Sequence, residues 1–107
     1  MASDLIQLVA DDTFASATAT GVVLVDFYAD WCGPCRMLSP VLERLAKDIQ
    51  GKAKIVKVDT DKAEKTAASF RITSIPTLIL FKDGKEIERV VGLRDEQALK
   101  AMISKAL

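Results

Sequence analysis

The spacing of apolar and polar positions changes several times along the chain, and each change predicts an element. Residues 5–9, LIQLV, suit a short strand, and Asp11 or Asp12 is placed to cap a short helix running through Phe14. From Gly21, the run GVVLVDFYAD is apolar at odd and even positions alike, which describes a strand covered on both faces, as in a parallel sheet. A helix follows. In CRMLSPVLERLAKDIQ, Leu38, Val41, Leu42, Leu45 and Ile49 recur at helical spacing, Arg36, Glu43, Lys47 and Gln50 share the opposite side, and Gly51 is the stop. KAKIVKVD predicts a second buried strand, and Asp61 with Glu64 has the spacing of a capping-box-like start for DKAEKTAASF. Beyond Pro76, TLILF and EIERVV flank Lys82-Asp83-Gly84-Lys85, an Asp-Gly turn signal that predicts an antiparallel hairpin. Leu99, Met102, Ile103, Ala106 and Leu107 then form one helical stripe, with Asp95 and Glu96 at the favourable N-terminal end. This order of elements predicts an α/β fold, a three-layer α/β/α sandwich around a mixed sheet.

Composition narrows the function classes. At 107 residues, half of them apolar, the chain suits one domain over 1–107 that buries its core without a disulfide framework. Fifteen basic and fifteen acidic residues cancel, so no net field favours nucleic acid or an anionic membrane as partner. The N-terminus MASDLIQLVADD lacks a basic segment followed by a long apolar one, and no apolar run approaches the roughly 20 residues that span a bilayer. The expectation is a soluble cytoplasmic protein, with a processed organellar form left open.

The candidate chemistry lies in WCGPC, residues 31–35, which holds the only two cysteines. As a staple, a loop this short would remove only about 2 kcal/mol of unfolded-state entropy. As half of a tetrahedral metal site, the pair needs two further ligands, yet there is no third cysteine and no histidine, so only a metal bridged between two chains stays open. The lack of histidine also removes a Cys-His nucleophile and a Ser-His-Asp triad. Thiol-disulfide exchange remains. Cys32 follows the buried strand and precedes the long helix, with Pro34 at the first helical position, where a missing N–H does no harm. Unsatisfied N–H groups and the helix dipole stabilise a thiolate there, and thiols so placed titrate between about 3.5 and 7.5 rather than near 8.5. Cys32 is therefore the expected nucleophile. Cys35 lies one helical step before Leu38, begins the buried stripe and is the expected resolving thiol. Gly33 keeps the approach open, and the Gly-Pro pair fixes a tight turn that brings the sulfurs within bonding reach.

The sequence Ala29-Asp30-Trp31-Cys32-Gly33-Pro34-Cys35 after VDFY, with Ile75-Pro76-Thr77 downstream and Gly84 and Gly92 following, resembles the thioredoxin family, and the likeness runs along essentially the whole chain. Thioredoxins are among the proteins that define the thiol range just given, so the position supplies a direction and not an independent value. The resemblance implies a four- to five-stranded mixed sheet with about four helices and a reversible Cys32–Cys35 disulfide. It implies a monomer that reduces protein disulfides with no cofactor or metal of its own. Re-reduction would come from a flavin-containing, NADPH-dependent thioredoxin reductase or, in plastid relatives, a ferredoxin-dependent one. It also implies that the bond before Pro76 is cis, and that Ile75, Pro76, Val91 and Gly92 line a groove for an extended substrate. Without it, a trans bond would be expected, since only about 5–6% of X-Pro bonds in folded proteins are cis.

Other residues have a plain and a functional reading. Trp31, beside Cys32 at a strand-to-helix turn, is either core cover or, as the family suggests, a surface platform for substrate. Pro40 is structural: inside a helix it costs about 3 kcal/mol and kinks the outer face. Asp26 is either a hydrated carboxylate at a fraying strand end or a buried one needing a partner or a raised pKa. The family pairs that position with the one held by Lys57, behind the resolving cysteine, where the carboxylate helps move its proton. Against the commonest family pattern, Tyr28 replaces tryptophan, Thr73-Ser74 precede Ile75 where others have arginine or glycine, and Arg36 replaces lysine. Groove shape and partner preference are the properties those changes touch. Two alternatives stay open: a redox-silent binding subunit or chaperone of the same fold, and an oxidant or isomerase. The oxidising relatives typically carry a histidine between the cysteines, and Gly-Pro offers no such charge.

Overall fold

The computed structural model describes residues 4–107; residues 1–3, which begin the segment read for a leader, lie outside the described residues. The elements in chain order are β1 (Ile6–Val9), α1 (Phe14–Thr18), β2 (Val22–Tyr28), α2 (Gly33–Asp48), β3 (Lys54–Asp59), α3 (Glu64–Ser69), β4 (Thr77–Lys82), β5 (Lys85–Val91) and α4 (Glu96–Ala106). The five strands lie in the order β1-β3-β2-β4-β5. β1, β3 and β2 run parallel, β4 is antiparallel to β2, and β5 is antiparallel to β4. The expected α/β fold with a mixed sheet is therefore the observed one.

β2 is central, and alternate residues feed two cores, as the two-sided apolar pattern of VVLVDFY requires. Val22, Leu24, Ile55, Leu78 and Leu80 pack against Leu38, Leu42 and Leu45 of α2 and Leu99, Met102 and Ile103 of α4. Val23, Val25, Phe27, Val56, Val58, Ile79 and Phe81 form the other core with Phe14 and Ala17 of α1, against which Phe70 and Ile72 also pack. There the four phenylalanines gather with ring centroids 5.3–6.4 Å apart. By strand parity, Asp26 and Lys57 fall on the face covered by α2. They are direct partners in the β2/β3 register.

The hairpin turns at Asp83 (φ 51°) and Gly84 (φ 84°), the pair of left-handed residues that a two-residue type I′ connection demands. A register shift between Leu80 and Phe81 leaves Ile87 as the extra residue of a bulge, and β5 is exposed along most of its length as a sheet edge.

Four sequence expectations need correction. The first helix begins at Phe14 instead of ending there, and neither Asp11 nor Asp12 caps it. Asp11 is drawn to α3, where its Oδ1 accepts from the backbone N–H (2.8 Å) and hydroxyl (2.7 Å) of Thr66. The Asp61/Glu64 capping box does not form, because α3 starts after Ala63, which makes no side-chain cap. Leu107 follows the end of α4 and is exposed, so the apolar stripe stops at Ala106. Asp95 does cap α4, its Oδ1 accepting from Ala98 N–H at 2.8 Å.

Candidate redox site

β2 ends at Tyr28, and the next residues bend sharply: Cys32 N–H donates to Ala29 O at 3.1 Å, and α2 begins at Gly33. Cys32 is the N-cap and Pro34 the second helical residue, one position later than expected. Cys32 Sγ accepts from Cys35 N–H at 3.2 Å, so a donor left free by the helix start already points at this sulfur. Cys32 and Cys35 form a disulfide with their Cα atoms 5.2 Å apart. This is the oxidised form.

Exposure does not separate the two cysteines, because Cys32 is 5% and Cys35 3% accessible. An exposed Cys32 beside a sheltered Cys35 is therefore not what distinguishes them. Surroundings do. Cys32 Sγ lies 3.9 Å from Ile75 O. Cys35 lines a cleft of about 180 Å³ on the α2/β3 side, together with Tyr28, Asp30, Arg36, Ser39 and Lys57.

Beside Cys32 the peptide bond between Ile75 and Pro76 is cis. Gly92 N–H donates to Pro76 O at 2.8 Å, and Val91 pairs with Thr77, so these loops meet next to the disulfide. Gly92 has φ 91°, a left-handed conformation that favours glycine there. Pro76 is buried, Ile75 and Gly92 half-buried and Val91 exposed, which leaves a partly apolar surface beside the sulfur. A Cβ added at Gly33 would meet nothing within 4 Å. Trp31 is 69% exposed, excluding the core-cover reading, and its Nε1–H donates to Asp61 Oδ2 at 2.8 Å.

Asp26 is fully buried and neither carboxyl oxygen has a hydrogen-bond partner among the described residues, so the hydrated strand-end reading fails. Burial raises its pKa to about 7, against the lowering pull of Lys57. Lys57 is also buried, yet forms no ion pair with Asp26. Its ammonium donates to Ser39 Oγ at 3.0 Å and lies 5.0 Å from the centroid of the Tyr28 ring. Burial, with Asp59, Asp30 and Asp26 nearby, pushes the Tyr28 hydroxyl up to about 12.

A family model described as Thioredoxin matches residues 5–105. A thioredoxin of Chlamydia muridarum is 54% identical over 101 residues, which cover 94% of this chain and 98% of that protein. A Chlamydia trachomatis thioredoxin is 52% identical over the same shares, and a Staphylococcus aureus thioredoxin is 50% identical over 92% of this chain and 95% of its own. The chain belongs to the thioredoxin family. As a thioredoxin with a Cys32–Cys35 pair, it is a thiol-disulfide oxidoreductase that reduces protein disulfides, and the redox-silent alternative is not favoured. No helix among the described residues is long and apolar enough to cross a membrane.

Ser39 and Asp61 were not among the residues expected at this thioredoxin site, and Tyr28 entered only as a departure from the family pattern at the groove. The one available signal for Ser39 was its position, four residues after Cys35 and so on the same helical face. Asp61 carried none, because its bond to Trp31 joins two loops. Arg36 also acts locally, its guanidinium donating to Asp30 O at 2.7 Å across the turn that carries Cys32.

Proposed function

We propose that Cys32 is the attacking thiol and Cys35 the resolving thiol of this protein-disulfide reductase. The Cys32 thiolate attacks one sulfur of a substrate disulfide, a mixed disulfide forms and the other substrate sulfur leaves as a thiolate. The Cys35 thiolate then attacks Cys32 Sγ, releasing the second substrate thiolate and leaving the Cys32–Cys35 disulfide. Two electrons and two protons from a reductase restore the dithiol. The observation that carries the assignment is the Cys35 N–H aimed at Cys32 Sγ at the start of a sixteen-residue helix, where backbone N–H groups and the dipole favour a thiolate.

Asp26 serves as proton acceptor for Cys35 in the second step. Its burial and its pKa of about 7 support this, since an acceptor poised near ambient pH both takes and returns a proton. Lys57, its register neighbour, tunes it. Trp31, Gly33, Pro34, Ile75, Pro76, Val91 and Gly92 form the substrate surface, with an extended segment lying along Ile75 beside Cys32. The partners are disulfide-containing proteins and a reductase, either NADPH- or ferredoxin-dependent, and the protein works as a single-domain monomer in a cytoplasm or an equivalent organellar compartment.

The test couples reduction of a disulfide protein, followed by turbidity, to NADPH and a thioredoxin reductase. Wild type drives precipitation of the reduced chain, and Cys32→Ser does not. An active Cys32→Ser variant would overturn the assignment.

A further inference from the structure

Asp26 and Lys57 face each other in the β2/β3 register, on strands about 4.8 Å apart, and still do not pair. Opposite charges on neighbouring buried side chains attract, and the lysine makes a competing contact instead. Ser39 makes it. From the second turn of α2, its Oγ accepts from the Lys57 ammonium at 3.0 Å while its hydroxyl lies 3.5 Å from Cys35 O, to which it donates. One side chain thus ties Lys57 to the helical turn that carries Cys35. The Tyr28 ring flanks the ammonium on the cleft side.

The remaining groups around Asp26 offer no substitute. On β4 its register partner is Leu78, and α4 turns Leu99, Met102, Ile103 and Ala106 inward. On α2, Cys35 is in the disulfide and Arg36 is committed to Asp30 O. Beyond Tyr28 on β2 lies Asp30, and β3 ends at Asp59; both are acids and can only repel a carboxylate. Among the described residues Lys57 is therefore the cation that can neutralise Asp26, and its location decides whether it does.

We propose that Ser39 is a positioning residue, whose hydroxyl holds the Lys57 ammonium in the cleft and away from Asp26, leaving that carboxyl unpaired and poised for proton transfer. The kinetic consequence rests on the role proposed for Asp26; the positioning itself does not. In Ser39→Ala, the ammonium loses its acceptor and swings to the carboxylate.

The test follows the Asp26 side-chain carboxyl carbon by NMR across a pH titration of the oxidised protein. Ser39→Ala should lower the midpoint by about one pH unit, the small end of what an adjacent opposite charge does. Ser39→Thr, which restores the hydroxyl, should titrate like wild type, and Ser39→Ala should have no effect once Lys57→Met has removed the ammonium. An unchanged or raised midpoint in Ser39→Ala overturns the proposal, as does a shift that persists without Lys57. Single-turnover release from the mixed disulfide, measured over the same pH range, separates the two claims. If the midpoint moves and the release profile does not, Ser39 positions Lys57 but Asp26 is not the proton acceptor.

Discussion

Removing the Asp26 carboxyl should stabilise the protein in a pH-dependent manner that reports its burial. In the folded state the group titrates near 7 because burial opposes its charged form, whereas an ordinary aspartate titrates near 3.8. Between those values the folded state holds a proton that the unfolded state has released, so stability falls as pH rises from about 4 to about 7. Below both values the group makes no difference; above both the penalty is constant. The rise from 3.8 to about 7 corresponds, at about 1.36 kcal/mol per pH unit, to about 4 kcal/mol. Asp26→Ala removes that penalty and leaves a small void, whose cost is the same at every pH and cancels when two pH values are compared. Urea unfolding of the oxidised proteins, in which neither cysteine titrates, gives the comparison. The mutational gain at pH 8.5 should exceed the gain at pH 4 by about 3 to 4 kcal/mol, an upper range since water reaching the site would shrink it. A difference below about 1 kcal/mol would mean that Asp26 is hydrated or paired with Lys57 in solution and would refute its burial without a protein partner.

In the reduced protein at pH 6, Cys32 should be alkylated at least about three times faster than Cys35, because the helix start favours its thiolate and the lower nucleophilicity of a more acidic thiol offsets only part of that excess; peptide mapping by mass spectrometry reads it, and equal rates would sink the assignment. Cys35→Ser should accumulate a mixed disulfide with substrate, visible as a mass adduct that dithiothreitol removes. Trp31→Ala should raise KM for a protein disulfide roughly tenfold with little effect on a small-molecule disulfide, while changing stability by less than about 1 kcal/mol, as befits an exposed side chain. Asp11→Ala should destabilise at pH 7 by removing both bonds to Thr66; those bonds hold the Asp11 carboxyl below its usual range, so the loss should fade as acid protonates it, which urea midpoints at pH 7 and pH 3 would register.

What the chain order could and could not reveal follows from the range of the forces involved. The unbroken apolar run of VVLVDFY announced a central strand, and a carboxylate inside it announced an anomaly, because burial on both faces is a local property of the pattern. The Asp83-Gly84 turn was legible for the same reason, as was the start of α2 to within one residue: backbone geometry over two to four residues selects them. Asp11 misled because an aspartate ahead of a helical run carries the same local signal whether it caps that helix or another 55 residues away. The capping-box spacing of Asp61 and Glu64 also misled, because α3 starts only after Ala63, and Asp61 instead accepts from Trp31 in a separate loop. Ser39 was the hardest to see. Its hydroxyl means nothing in the helix alone and acquires a role only because parallel β2/β3 pairing brings Lys57 under it and Asp26 beside Lys57. A polar residue on the inner edge of an amphipathic helix is the trace such an arrangement leaves in sequence. What it cannot indicate is which of two buried neighbours the lysine chooses, and on the positioning proposed for Ser39 that choice sets whether the carboxyl at the centre of the sheet stays unpaired and titrates near neutral pH or becomes half of an ion pair that titrates lower.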